Sequence, residues 1–167
     1  MNGRLKVMMV AITAALALLV VAAGAPADSS ATCLGERATI VGTEGDDLIA
    51  GTGKDDVIVT LGGNDVINAH GGNDLICAGD GNDRTDAGDG FFDGINGGAG
   101  DDWIDGGDHA DRLLGTIGAN RLEGEGGADR LIGLGANDVL TGNGARDFAD
   151  GGGGRDRCAA ERRVRCP

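Results

Sequence analysis

Aliphatic residues recur along this chain at intervals of nine, each with an acidic residue two places before it. The apolar column reads Ile49, Ile58, Ile67, Ile76, Thr85, Ile95, Ile104, Leu113, Leu122, Leu131, Leu140, Ala149 and Cys158. The polar column reads Asp47, Asp56, Asp65, Asp74, Asp83, Asp93, Asp102, Asp111, Asn120, Asp129, Asp138, Asp147 and Asp156, with asparagine at a single place. Both columns demand the same register. It divides residues 42–159 into thirteen units of the form G-G-x-G-x-D-x-U-x, U being the aliphatic position, with one extra residue at Phe91-Phe92.

Glycines at positions one, two and four of a unit permit positive φ and a tight turn, and positions seven to nine form a short strand. The eighth side chain points inward because its neighbours on a three-residue strand must point out. Turn, strand, turn, strand makes a coil of eighteen residues, so alternate units form two faces with an aliphatic ladder behind each. About six and a half coils, with strands stacked at roughly 4.8 Å, make a rod about 30 Å long. The predicted fold is all-β: a right-handed parallel β-roll, a β-helix solenoid, of about 13 nonapeptide repeats with short N- and C-terminal caps. Residues 28–41 are the expected first cap, since Ile40 falls in the apolar column one unit early. Residues 160–167 close the far end, where Arg155, Arg157, Arg162, Arg163 and Arg165 cluster and little could form another unit. Caps are needed because a solenoid must cover its last apolar layer and its open strand edges.

Residues 1–27 read as a secretory signal peptide, with Arg4 and Lys6, an apolar run from Val7 to Ala23, and a small-residue cleavage site at Ala25-Pro26-Ala27. Cleavage there removes two positive charges, so the formal charge falls from -13 to -15, and leaves no membrane span in the mature chain. So acidic a chain is poorly suited to nucleic acid or anionic lipid and well suited to cations. With 34 glycines, three phenylalanines, one tryptophan and no tyrosine, the composition is nearer to disordered chains than to ordinary globular ones, and something must offset that deficit. Four cysteines, Cys33, Cys77, Cys158 and Cys166, fit two disulfides in an oxidising compartment. Three pairings can be drawn and the sequence does not choose among them. The favoured one joins Cys158 to Cys166 across the tail and Cys33 to Cys77 across the first cap. No C-x-x-C pair is present to suggest zinc.

Stacking the coils brings the sixth-position carboxylates close together on each side, where unneutralised they repel. Each turn offers a carboxylate and several backbone carbonyls, an oxygen-only donor set suited to calcium. Magnesium demands stricter geometry, and zinc prefers nitrogen and sulfur. The candidate ligands are Asp47, Asp56, Asp65, Asp74, Asp83, Asp93, Asp102, Asp111, Asp129, Asp138, Asp147 and Asp156, with turn carbonyls such as those of Gly45, Gly63, Gly81 and Gly100. Binding energy would then act as folding energy, with an unfolded metal-free chain and a folded calcium form.

The nonapeptide resembles the RTX, or haemolysin-type calcium-binding, repeat over residues 42–159. The resemblance implies several calcium ions lying between turns of consecutive coils on one side, held by the sixth-position aspartates and glycine-turn carbonyls. Two features depart from that family's usual setting. Its repeats commonly follow an enzymatic or toxic domain and use a C-terminal secretion signal, whereas here the signal is N-terminal and no room remains for another domain. The fourth position is occupied by Lys54, His109, Ala136 and Ala145 rather than glycine. The units starting at Gly42, Thr60, Ala78 and Gly97 are therefore expected to hold three consecutive strong sites, with weaker sites opposite and after Asn120.

His70 and His109 have no nucleophile at a telling spacing, and the abundant carboxylates are explained by the repeat, so no enzymatic activity is expected. Trp103 and Phe148 occupy position seven, which should face outward. That column changes from Leu48, Val57, Val66 and Leu75 to Arg84, Arg112, Arg121, Arg130 and Arg157, and residues 28–41 or another molecule could cover its apolar end. The function expected is calcium ion binding by an exported repeat protein. The alternative is a calcium-stabilised interaction or adhesion module binding an extracellular glycan or protein, with Trp103 as a candidate partner contact.

Overall fold

The computed structural model describes residues 30–166, and the expected signal peptide lies outside the described residues. Every element among them is a β-strand, and no helix is long and apolar enough to cross a membrane. A hairpin of β1 (Thr32–Cys33) and β2 (Glu36–Arg37) precedes the stack. In chain order come β3 (Ile40–Val41), β4 (Leu48–Ala50), β5 (Val57–Val59), β6 (Val66–Asn68), β7 (Leu75–Asp80), β8 (Arg84–Asp86), β9 (Gly94–Ala99) and β10 (Trp103–Asp105). They are followed by β11 (Arg112–Ile117), β12 (Arg121–Glu123), β13 (Arg130–Leu134), β14 (Val139–Thr141), β15 (Phe148–Gly152), β16 (Arg157–Ala159) and β17 (Arg162–Val164). Even-numbered strands from β4 form a seven-stranded sheet and odd-numbered strands from β3 an eight-stranded one. Within both sheets every pairing is parallel, so the chain is a parallel β-solenoid of about seven turns.

Register follows the aliphatic column. Ile49 pairs with Ile67, Ile104 with Leu122 and Leu122 with Leu140 in one sheet; Ile58 pairs with Ile76 and Leu113 with Leu131 in the other. These side chains are fully buried and form one core, joined by Ala69, Ala78 and Ala87 from the first position of their turns. The column thins at Thr85, whose buried hydroxyl has no partner, and at Ala149. The insertion leaves the strands undisturbed, since Ile76 still pairs with Ile95. Phe91 and Phe92 instead stand exposed at the turn, the Phe91 ring 4.6 Å from that of His109.

Each end is closed differently. The β1–β2 hairpin lies on the outer face of the eight-stranded sheet, where Cys33, Ala38 and Val59 are buried with Val57, Leu75 and Cys77 packed against them. A Cys33–Cys77 disulfide fixes it there. It covers the apolar end of only that sheet; Leu48 and Val66 on the other remain 38% and 44% exposed. At the far end the tail does more than expected. Residues 162–164 add the strand β17 in register with β15, placing Arg163 opposite Ala149 in the inward column. A charged residue at that place ends the core and discourages a further strand. The Cys158–Cys166 disulfide and an Arg165–Asp150 ion pair hold the tail.

The glycines serve two different purposes. Positions two and four have positive φ in most turns, whether or not glycine occupies them, as Leu61 (74°), His70 (75°), Gly81 (136°) and His109 (77°) show; the first two turns, with Thr43, Gly45, Thr52 and Lys54, do not share it, nor do Gly90 and Ala145. Position one does not have positive φ, contrary to the sequence expectation; its glycine answers to a carboxylate described below.

Two outcomes follow. A Cβ at Gly81 would lie 1.8 Å from the Gly63 carbonyl oxygen, whereas one at Gly53 would meet nothing within 4 Å. Gly81→Ala should therefore cost more than about 2 kcal/mol and Gly53→Ala stay within about 1 kcal/mol, read by denaturant unfolding with calcium. The disulfides close loops of 44 and 8 residues, so chain entropy assigns about 4 kcal/mol to the first and about 2.5 to the second. Unfolding of the Cys33→Ser/Cys77→Ser and Cys158→Ser/Cys166→Ser variants checks the order.

Candidate metal centre

Turning the chain twice per coil places every sixth-position side chain beneath its own turn, facing the equivalent residue one coil away. One carboxylate oxygen, Oδ1, accepts the backbone N–H of the sixth residue in the preceding coil. On the side of Asp47 this ladder runs from Asp47 N–H to Asp65 (2.8 Å), Asp65 to Asp83 (2.8 Å), Asp83 to Asp102 (3.0 Å) and onward to Asp156. On the other side it runs from Asp56 through Asp74, Asp93, Asp111 and Asp129 to Asp147. The tail closes this second ladder, because the Glu161 carboxylate accepts the Asp147 N–H at 2.9 Å.

The second oxygen is left over. Oδ2 of Asp65, Asp74, Asp83, Asp93, Asp102, Asp111, Asp129, Asp138, Asp147 and Asp156 is buried without a hydrogen-bond partner. Asp47 and Asp56 differ, their Oδ2 atoms accepting the N–H groups of Thr43 (2.6 Å) and Thr52 (2.7 Å). Six of the orphaned oxygens, those of Asp102, Asp111, Asp129, Asp138, Asp147 and Asp156, lie in cradles made by first-position glycines: a Cβ at Gly97 would lie 2.4 Å from Asp102 Oδ2, and one at Gly124 2.4 Å from Asp129 Oδ2. Where glycine stands at position one it leaves room for the carboxylate five residues later; Thr60, Ala69, Ala78 and Ala87 show that other turns accommodate a Cβ there.

Burial raises eight of these carboxyls. Desolvation pushes Asp74 and Asp83 up to about 6, and Asp102, Asp111 and Asp129 up to about 7, against the lowering effect of the N–H each accepts. Asp65, Asp93 and Asp138 are raised for the same reason. Neighbouring carboxylates add to the effect, Asp83 on Asp102 and Asp93 on Asp111 among them. Ten buried oxygens lack a donor, eight of them on carboxyls that burial shifts toward the neutral form, and a bound cation would relieve both.

Backbone carbonyls lie at the coil-to-coil contact of the same turns. Close stacking at position four aims the carbonyl of one coil at the next: a Cβ at Gly100 would lie 1.8 Å from Gly81 O, and one at Gly118 1.9 Å from Gly100 O. Carboxylate and carbonyl oxygens, with no histidine or thiol among them, suit a hard cation of flexible coordination such as calcium. Gly63, Gly81 and Gly100 stand in consecutive turns on the Asp47 side, as does Gly45, whose carbonyl accepts the Thr43 hydroxyl at 3.2 Å.

A second ladder was missed in the sequence. At position five, Asp46 accepts the N–H of Asn64 (2.7 Å), Asn64 that of Asn82 (3.0 Å), Asn82 that of Asp101 (2.7 Å) and Asp101 that of Ala119 (2.7 Å). Its polarity is opposite to that at position six. On the other side it reaches only from Asp55 through Asn73 to Phe92, after which the position holds Ala110, Ala128 and Arg146. Asn120 keeps the main ladder with its amide oxygen, and its Nδ2 donates to Gly118 O at 3.1 Å.

The remaining candidates lie elsewhere. Trp103 is on the outer face, with the Arg84 guanidinium 3.5 Å from its ring centroid and that of Arg121 at 5.9 Å. Phe148 stands similarly between Arg130 and Arg162. His109 is engaged with Phe91. At the ends of β10 and β12 and in the turn that follows, the carboxylates of Asp105, Glu123 and Glu125 converge within 4.8 Å of one another.

Comparison with known proteins agrees with this geometry. The model of the RTX calcium-binding nonapeptide repeat matches four times, over residues 38–53, 51–85, 87–122 and 123–158. No curated protein and no solved structure matches the chain.

The raised carboxyls fix the sign of a pH effect. Unfolded aspartates titrate near 3.8, whereas Asp74 and Asp83 are raised to about 6 and Asp102, Asp111 and Asp129 to about 7, so the metal-free fold binds protons more tightly than the unfolded chain. That contribution is full below the unfolded value and is lost as pH rises through 6 to 7. Far-UV circular dichroism in metal-stripped buffer should show more β structure at pH 5 than at pH 8. Apparent calcium affinity should move the opposite way, strengthening from pH 5 to pH 8 as protons cease to compete.

Proposed function

The chain belongs to the RTX calcium-binding nonapeptide repeat family, and from that premise we propose that it is an exported calcium-binding protein whose roll assembles around its ions. The single observation carrying this reading is the column of buried, unpartnered Oδ2 atoms. Asp65, Asp74, Asp83, Asp93, Asp102, Asp111, Asp129, Asp138, Asp147 and Asp156 would supply carboxylate oxygens, and the turn carbonyls of Gly63, Gly81 and Gly100 the rest. Asp47, Asp56 and Gly45 belong to the first turns, where threonine side chains and N–H groups share the same oxygens. When bound, calcium supplies charge neutralisation and oxygen coordination; the protein supplies spacing and a water-poor turn. The reading includes no catalytic role.

Site strength should be unequal. The turns beginning at Gly42, Thr60, Ala78 and Gly97 combine glycine at position four with the uninterrupted position-five ladder from Asp46 to Asp101. Opposite them stand Lys54, the Phe92 insertion, His109 and Ala145. Three strong sites between the four favoured turns, with weaker ones elsewhere, follow from that contrast. Export rests on the leader-like residues 1–27 and on the two disulfides. The adhesion alternative keeps its outward arginines and aromatics, but both faces of the Trp103 indole are flanked by guanidiniums, leaving mainly its edge for a partner.

Asparagine separates the two roles of a sixth-position carboxylate, since it keeps the Oδ1 acceptor and removes the charge. Asp83→Asn should weaken calcium binding about tenfold or more, and Asp147→Asn much less, in titrations followed by circular dichroism and calorimetry. Equal losses would remove the asymmetry; no calcium-induced β signal in the unaltered protein, or an equal one with magnesium, would remove the calcium reading itself.

A further inference from the structure

The outer face of the seven-stranded sheet carries two parallel columns of side chains. Position seven supplies Leu48, Val66, Arg84, Trp103, Arg121 and Val139; position nine supplies Ala50, Asn68, Asp86, Asp105, Glu123 and Thr141. In the middle of the face each column is nearly of one sign. Arg84, Trp103 and Arg121 are in-register neighbours, as are Asp86, Asp105 and Glu123. Like charges stacked at adjacent-strand spacing repel, and among the described residues only Arg121 and Glu123 form an ion pair across the columns. The hairpin that covers the other sheet leaves this face open, with Leu48, Val66 and Trp103 all more than a third exposed.

We propose that this face is the interface of a parallel homodimer, in which a second copy docks by a two-fold axis running along the roll between the two columns. That operation exchanges the columns while keeping each rung at its own level. Arg84 then faces the partner's Asp86, Arg121 the partner's Glu123, and Trp103 the partner's Asp105. At the N-terminal end Leu48 meets the partner's Ala50 and Val66 the partner's Asn68. Each contact occurs twice, as an isologous interface requires.

The alternative two-fold axis, across the roll through Trp103, would reverse the order of rungs without exchanging columns. Arg84 would then face the partner's Arg121 and Asp86 the partner's Glu123, so charge selects the parallel arrangement. Seven strands about 4.8 Å apart and three residues wide give a footprint on the order of 300 Å² per copy. A stable interface of standard size buries about 800 Å² per partner, so this dimer belongs to the weak class and depends on concentration.

Sedimentation velocity on the calcium-loaded protein, from about 1 to 300 µM, tests the proposal, with circular dichroism on the same samples reporting the fold. That second reading separates failure of the interface from failure of calcium-dependent folding. A reversible monomer–dimer equilibrium is expected. One variant, Arg84→Glu/Arg121→Glu, and another, Asp86→Arg/Glu123→Arg, should each self-associate at least tenfold more weakly, while an equimolar mixture forms a heterodimer. A wild-type protein that stays monomeric throughout, variants that dimerise as the wild type does, or folded variants whose mixture remains monomeric would overturn it.

Discussion

The structure depends on one repeated interaction, a buried carboxylate whose Oδ1 accepts an N–H from the coil before it. The bond satisfies a backbone donor that a three-residue strand and a tight turn would otherwise leave without a partner, and it sets the coils in register. It also brings a carboxylate into the interior at most rungs, and in ten of them the leftover Oδ2 finds no donor. The aliphatic columns are one side chain wide and thin to threonine and alanine in places, so apolar burial has little surplus with which to offset those charges. Stacking therefore becomes conditional on something that neutralises carboxylate, whether a proton or a hard cation. On the proposed reading, coupling of calcium to folding would be a consequence of where the backbone bond places the second oxygen.

The glycines follow from the same bond. At position four the coils approach so closely that a side chain would run into the previous carbonyl, and the backbone there has positive φ even at His109 and Ala136. At position one the backbone is ordinary, and glycine is present because the carboxylate folds back beneath it. Ala69, Ala78 and Ala87 at that position turn into the core, so the two demands, room for carboxylate and filling of the core, compete at a single place in the repeat.

Much of this was legible in sequence because the period is rigid. Two columns in one register forecast strands that pair every eighteen or nineteen residues, an inward aliphatic ladder and the sides on which the aspartates gather. The position-five ladder escaped notice because Asp46, Asn64, Asn82 and Asp101 are chemically mixed and the series is broken at Ala119. Glu161 escaped because it closes the second ladder fourteen residues after Asp147 rather than eighteen. The role of position-one glycine was misassigned, since glycine as a residue type does not reveal whether φ or space is the reason for it. Pairings across the outer faces, such as Arg84 over Trp103, depend on rotamers and in-register neighbours that a single repeat does not display.

Asn120 shows how loosely the two functions of the column are tied. Its amide oxygen maintains the ladder to Asp102, while its Nδ2 donates to the Gly118 carbonyl that would otherwise face the turn. One rung thus keeps its structural bond, forgoes a carboxylate and satisfies itself internally. Coils in a solenoid contact only their neighbours, so such a change stays local. A roll of this kind can lose an ion site without losing a turn, provided the replacement still offers an acceptor at Oδ1. Alanine would remove the acceptor and the charge together and leave an N–H without a partner, which is why asparagine is the tolerable departure from the column.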